Sequence, residues 1–159
     1  MLTVNPDTQS AFASKPEVSV MGDYPTLTDI NAAYGNNMAQ KWLMPQLADL
    51  SLYTGAKNLT QRQMLQLANI IATEYHYLKV TELLMFFHRF KAGAYGQFYG
   101  NVDPMVVTCA LRTFIQERND IIARCEQEQR ERERIEERKQ NPPISYEEYL
   151  KLKQKQEQI

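Results

Sequence analysis

The sequence predicts an all-α protein: a compact bundle of about five helices followed by a long, charged helical extension. Apolar residues recur at helical spacing through most of residues 26–125, and almost no segment alternates as a strand would. Helix-starting residues precede these apolar runs, and glycine or proline follows several of them. The chain of 159 residues has room for one core-forming domain and two tails.

Capping boxes mark three of the helix starts. In this pattern a Ser or Thr side chain accepts a hydrogen bond from the backbone N–H three residues later, and an acidic or amide side chain there returns one. We predict such boxes at Thr26 with Asp29, at Thr60 with Gln63 and at Ser145 with Glu148.

Other helix boundaries rest on single residues. Thr81 is predicted to cap the most apolar helix, which ends near Gly93. We expect Asp103 to be the N-cap of the next helix and Pro104 to be its first residue. Pro45 lies inside a helix expected over residues 37–53, so a kink or a break is expected there.

Two segments outside residues 26–125 have different compositions. Residues 1–25 are rich in Ser, Thr, Asn, Asp and Pro without a sustained period, and we expect a disordered arm. Residues 126–140 carry six acids and five bases around one isoleucine. This composition predicts that residues 126–159 form a solvated helical extension with a short C-terminal helix. The alternative is a partner-binding surface.

Charge and cysteine content limit the classes of partner. The formal net charge is −1, which argues against strong non-specific attraction to nucleic acid or to an anionic membrane. Cys109 and Cys125 fall sixteen positions apart in one predicted helix, about 24 Å at 1.5 Å per residue, too far for a disulfide. We find no signal peptide and no run long enough for a membrane span, so a soluble, cytoplasmic protein is expected.

Few residues have the type and spacing that are typical of a metal site or a catalytic site. His76 and His88 lack the spacing of a metal motif, and neither cysteine has a local feature that would activate its thiol. We expect no metal, no cofactor and no catalytic residue. The alternative of a small enzyme would require a polar pocket in which one histidine meets an acid or a thiol.

One stretch, "RFKAGAYGQFYGNVDP" at residues 89–104, combines glycines, aromatic rings and basic residues. Rings in a connection between helices must pack on the core or meet a ligand. The candidate binding residues are Arg89, Lys91, Tyr95, Phe98, Tyr99 and Arg112.

Three interpretations of this stretch remain open. The rings could fold back over the helix junction, with glycines supplying the sharp turns. They could instead anchor a protein partner, because Tyr and Arg are common hot-spot residues. Alternatively, the basic residues could contact phosphates while the rings stack on bases of single-stranded nucleic acid.

Residues 77–119 resemble a known family. The segments "FFHRFKAG" and "YGQFYGNVDP" are similar to the patterns FFxRFKxG and YGxFYGxVDP of an uncharacterised helical family from anaerobic gut bacteria and their mobile elements and phages. With "NAAYG" and "ATEYHYLKV", the resemblance covers about residues 26–125. It implies an accessory role in replication or regulation of such an element, and it implies no catalytic residue.

The function expected from these observations is a non-catalytic interaction or adaptor module. A protein partner is the leading expectation and single-stranded nucleic acid the alternative. No membrane partner is expected, and the sequence leaves the oligomeric state open.

Overall fold

The structure is a computed structural model that describes residues 5–54, 58–96 and 103–157. Those residues are all-α, and their one piece of extended pairing is an isolated antiparallel bridge between Thr26 and Lys79. The helices are a short 3₁₀ helix (Pro6–Thr8), α1 (Gln9–Ala13), α2 (Pro16–Met21), α3 (Leu27–Tyr34), α4 (Met38–Tyr53), α5 (Gln61–Glu74), α6 (Val80–Lys91), α7 (Pro104–Gln140) and α8 (Tyr146–Glu157).

The chain divides into two compact units, Met1–Ile122 and Ala123–Ile159. The first unit contains the buried hydrophobic residues of the described chain. The second unit holds the last part of α7 and all of α8, and none of residues 123–157 is buried. Core formation is therefore confined to the first unit.

The three predicted capping boxes are confirmed. The Thr26 hydroxyl accepts from the Asp29 N–H at 3.1 Å, and the Asp29 carboxylate accepts from the Thr26 N–H at 2.8 Å. The same reciprocal bonds join Thr60 with Gln63 and Ser145 with Glu148. Because both partners lie within four residues, these helix starts are set by local sequence.

Helix α6 is the most buried element, with nine of its twelve residues buried. Its N-cap is Lys79, so the prediction that Thr81 caps this helix is wrong. The Glu82 carboxylate accepts from the Lys79 N–H at 2.8 Å and so satisfies a free donor of the first turn. Thr81 is the second residue of α6, and its buried hydroxyl donates to the Ser19 carbonyl at 2.7 Å.

The N-terminal segment differs from the disordered arm expected over residues 1–25, because most of residues 6–21 lies in three short helices. Helix α1 packs on α6, and α2 packs on both. The Lys79 ammonium donates to the carbonyls of Val20 and Gly22 at 2.6 and 2.8 Å, capping the end of α2. The Gln9 amide, almost fully buried, donates to Gln46 on α4 at 2.7 Å. Contacts from distant parts of the chain thus order a polar segment.

Helix α4 continues through Pro45, so a break does not occur there, and the expected kink stays a prediction. It packs against α3, α5 and α6, and buries Trp42, Leu43, Leu47 and Leu50. Burial of this apolar stripe offsets the hydrogen bond that proline cannot donate.

Helix α7 begins as predicted at Pro104. The Asp103 carboxylate accepts from the Met105 N–H at 2.9 Å. Its buried residues, which lie in the first unit, are Val107, Ala110, Leu111, Phe114 and Ile121. Both cysteines lie on α7 and are free thiols.

None of the helices in the described ranges combines the length and the apolar character that crossing a membrane requires.

Candidate functional site

Two of the six predicted binding residues meet at one acid. The Arg89 guanidinium and the Glu117 carboxylate form an ion pair at 2.8 Å, and the Tyr95 hydroxyl donates to the same carboxylate oxygen at 3.2 Å. Arg89 lies in the last turn of α6, and Glu117 lies on α7. This cluster therefore links the end of α6 to α7.

The turn after α6 returns Tyr95 to the core. Gly93 and Gly96 have positive φ angles of 82° and 109°, which residues with a side chain adopt only with strain. The Tyr95 ring lies 5.6 Å from the Phe86 ring and 6.4 Å from the Phe90 ring, measured between centroids. For Tyr95, the packed corner is the interpretation that the structure supports.

This environment changes the acidity of Tyr95. Burial raises the pKa of the Tyr95 phenol above its ordinary value of 10.0. The nearby Glu117 carboxylate raises the pKa further, whereas Arg89 lowers it. Because the folded pKa exceeds the unfolded one, the protonated phenol contributes to stability in full below about pH 10, and this contribution is lost as the pH rises further.

A Tyr95→Phe variant should show this linkage. We expect the free energy of unfolding of the wild type to fall more steeply above about pH 10 than that of the variant, which has no phenol to titrate at this position. Urea denaturation from about pH 8 to about pH 11 measures both curves. Parallel curves would contradict the assignment of the raised pKa to Tyr95.

Lys91 also lies in an ion pair. Its ammonium contacts the Asp49 carboxylate on α4 at 2.7 Å and lies 5.6 Å from the centre of the Tyr53 ring. Arg89 and Lys91 therefore each have a carboxylate partner within the first unit. Neither presents an unpaired positive charge to a phosphate.

Of the other three predicted residues, Arg112 does not join this cluster. Phe98 and Tyr99 lie outside the described residues. Arg112 is exposed on α7, where it lines a groove with α5. The structure thus places Arg112 at a different feature from Arg89 and Lys91.

That feature centres on Met105, which lies in the first turn of α7 and is 70% exposed. Met105, Thr108, Cys109 and Arg112 are spaced three, four and seven residues apart, so they share one helix face. This face lies opposite the buried residues Val107, Leu111 and Phe114. We call these four residues, together with the neighbouring Ile70 of α5, the Met105 surface.

Three open grooves adjoin the Met105 side chain. The first, about 530 Å³, is further lined by Ala94, Tyr95, Val106, Cys109, Ala110 and Thr113. The second, about 470 Å³, is further lined by Gln63, Gln66, Leu67, Asn69, Ile70, Pro104 and Thr108. The third, about 580 Å³, is further lined by Ile70, Glu74, Tyr75, Thr108, Cys109 and Arg112.

The lining of these grooves is apolar or uncharged apart from two residues. Glu74 and Arg112 both line the third groove, and no ion pair joins them. Ile70, which lines two of the grooves, is 47% exposed. The surface is therefore suited to an apolar contact with a few polar bonds at its edge.

Sequence reasoning missed Met105 and Ile70. Both are apolar residues that lie off the buried faces of α5 and α7, and this departure from the apolar period is the signal that could have identified them. It also missed Glu117, which lies 28 positions from Arg89. No local pattern predicts that pairing.

The described residues contain no group of three His, Cys, Asp or Glu side chains arranged to hold a metal ion. His76 is exposed, and its Nδ1 lies 3.2 Å from the Thr28 hydroxyl. Cys109 is exposed on the Met105 surface, and Cys125 is partly buried.

Comparison with known proteins places α5 through α8 within one family. No curated protein and no solved structure matches the chain. A model of a family of unknown function (DUF6633) matches residues 58–159, more than half of the chain, including α7 and its Met105 surface. This agrees with the expected resemblance to an uncharacterised family. The chain therefore belongs to DUF6633, a family of unknown function.

Proposed function

We propose that the protein is a non-catalytic interaction module, and that an apolar segment of another protein binds its Met105 surface. The observation that carries this proposal is the 70% exposure of Met105 between open, mostly uncharged grooves. Exposed apolar surface rimmed by polar groups is typical of protein interaction sites. Methionine suits such a site because its flexible thioether adapts to the shape of a partner.

The distribution of charge supports a protein partner over nucleic acid. Binding to single strands needs cations that track the phosphate backbone. Arg89 and Lys91 are paired with Glu117 and Asp49, and the lining of the third groove contains one acid for its one base, Arg112. A neutral partner segment fits this surface better than a polyanion does.

The proposal assigns different roles to the predicted binding residues. Tyr95 and Arg112 line grooves beside Met105 and would contact the partner directly. Arg89 and Lys91 would act indirectly, because their ion pairs fix the end of α6. We propose no role for Phe98 and Tyr99, which lie outside the described residues.

The wider setting is also a proposal. We infer that the helical body expected over about residues 26–125, together with the N-terminal helices that pack on it in the first unit, carries the Met105 surface, and that residues 126–159 form a solvated charged extension. The resemblance proposed for residues 77–119 is the motive for inferring an accessory role in replication or regulation of a mobile element or phage. In that role the module would act in the cytoplasm by joining other proteins.

A Met105→Asp variant tests the binding surface. Aspartate places a charge in the middle of an apolar contact, so we expect recovery of the partner to fall at least about tenfold, as for a hot-spot residue. Stability should change by less than about 0.5 kcal/mol, since the side chain is exposed. The measurement is quantitative mass spectrometry of proteins that co-purify with the tagged chain from its native cells.

Leu52→Asp is the matched control, because Leu52 on α4 is 71% exposed and lines none of the three grooves. The proposal fails if both variants retain every co-purifying protein. It also fails if a fluorescent single-stranded oligonucleotide binds the wild type with an affinity that falls steeply with salt and that Met105→Asp leaves unchanged.

A further inference from the structure

The second and third grooves adjoin each other between α5 and α7 and form one trough. Both are lined by Ile70 of α5 and by Met105 and Thr108 of α7. Along α5 the lining extends from Gln63 to Glu74, which is about 16 Å at a rise of about 1.5 Å per residue, or about three helical turns. We call this feature the α5–α7 trough.

The two ends of the α5–α7 trough differ in charge. The second groove has no charged residue among its described lining, and its amide side chains are Gln63, Gln66 and Asn69. The third groove is lined by Glu74 from α5 and by Arg112 from α7. Charge is therefore confined to one end of the trough, with one sign on each of its two walls.

Within the described residues, neither Glu74 nor Arg112 has a partner for its charge. Both are exposed, and neither forms an ion pair. The residues three and four positions away on each helix are uncharged, so no pair within a helix is open to them. A segment that lies between α5 and α7 keeps the two side chains apart and takes water from them, which is costly for an unpaired charge. The occupant of this end must therefore bring an acid to Arg112 and a base to Glu74.

The walls of the trough favour a helix as the occupant. Backbone N–H and C=O groups that leave water need hydrogen-bond partners. An extended segment finds such partners at the edge of a sheet, but both walls here are helices, and the described residues contain no sheet. A helix satisfies its own backbone and presents apolar side chains to a groove at a spacing of three and four residues. The exposed apolar residues Ile70 and Met105, between the two ends, suit that face.

We propose that the segment bound by the Met105 surface is an amphipathic helix of about three turns that lies in the α5–α7 trough. An acidic side chain on one edge of its apolar face pairs with Arg112, and a basic side chain on the other edge pairs with Glu74. This inference rests on the proposed function, because it specifies the chemistry of the partner at the same surface.

Four synthetic peptides test this charge pattern against the full chain. Each has about 18 residues, because shorter isolated helices are marginal in water, and each carries the same leucine face. The two edges of that face hold glutamates on one and lysines on the other (the mixed peptide), glutamates on both, lysines on both, or glutamines on both. Fluorescence anisotropy measures each Kd. The wild type should bind the mixed peptide at least about fivefold more tightly than the other three, because a helix can lie in the direction that matches both charges.

Charge reversal on either wall should switch this preference. Arg112→Glu leaves two acids in the trough, so this variant should bind the lysine peptide most tightly. Glu74→Lys leaves two bases, so this variant should bind the glutamate peptide most tightly. Arg62→Glu and Asp120→Lys are matched controls, because both residues are exposed, line none of the three grooves and give the same changes in net charge. Both controls should keep the preference of the wild type.

Met105→Asp separates this inference from the proposed function. It should raise the Kd of the mixed peptide at least about tenfold. If that loss occurs but the wild type binds the glutamine peptide as tightly as the mixed one, the inference fails and the proposed function stands. Unchanged binding to Met105→Asp would place the peptides elsewhere and overturn the inference as well. Absence of binding by all four peptides, or reversal variants that keep the wild-type preference, would also overturn it.

Discussion

Replacement of Arg118 by methionine should lower the free energy of unfolding by about 3 kcal/mol or more. Arg118 on α7 donates from Nε to the Glu82 carboxylate at 2.6 Å, and Glu82 is fully buried on α6. The variant keeps the volume of the side chain but leaves a carboxylate without its counter-charge. Removal of one partner of a buried pair is costly because the remaining charge is neither solvated nor paired.

A double variant separates charge from packing. Glu82→Gln with Arg118→Met removes both charges and keeps an oxygen that can accept from the Lys79 N–H. We expect it to recover a substantial part of the stability that Arg118→Met loses. Urea denaturation of the wild type, both single variants and the double variant gives the coupling free energy between Glu82 and Arg118. A loss of unfolding free energy below about 1 kcal/mol for Arg118→Met would contradict a large stabilising contribution of the Arg118–Glu82 ion pair.

Replacement of Phe86 by alanine should cost about 3–5 kcal/mol, a large share of the stability of a domain of this size. Phe86 is fully buried on α6, and its ring lies within 6.0 Å of four others between centroids. Those rings belong to Phe87, Phe90, Tyr95 and Phe114. Truncation therefore leaves a cavity where α6, the turn after it and α7 meet.

Two comparisons test the reason for this loss. Phe86→Leu keeps most of the volume and should cost clearly less than Phe86→Ala. Phe86→Ala should also lower the raised pKa of Tyr95 toward its ordinary value, because it reduces the burial that causes the rise. Equal losses for the leucine and alanine variants would contradict a loss that depends on cavity volume.

The helical class and several helix starts could be predicted because their determinants are local. Thr26, Thr60 and Ser145 each meet a partner three residues away. Thr81 shows the limit of this reasoning, because a threonine before an apolar run fits an N-cap equally well. Its hydroxyl instead bonds to Ser19, 62 positions earlier. Local sequence cannot distinguish these two uses of a hydroxyl.

The N-terminal segment could not be predicted for the same reason. Its composition resembles that of a disordered arm, and no periodicity marks α1 or α2. Its order depends on carbonyls of Val20 and Gly22 that meet the Lys79 ammonium, 59 and 57 positions away. Polar segments can be ordered in this way when a distant side chain satisfies the end of a short helix.

The candidate site was predictable only in part. The glycines and rings after α6 correctly indicate a sharp turn, and Tyr95 packs where such a turn would place it. The basic residues suggested a binding role because their partners, Glu117 and Asp49, are 28 and 42 positions distant. Met105 was not identified from the sequence, because its exposure depends on which face of α7 packs against the core.

Binding of a purified partner to three forms of the chain tests most directly whether the Met105 surface is the interaction site. A protein that co-purifies with the wild type would be titrated by calorimetry against the wild type, Met105→Asp and Leu52→Asp. The proposal predicts a Kd at least about tenfold higher for Met105→Asp and an unchanged Kd for Leu52→Asp. Equal affinities for all three forms would contradict it.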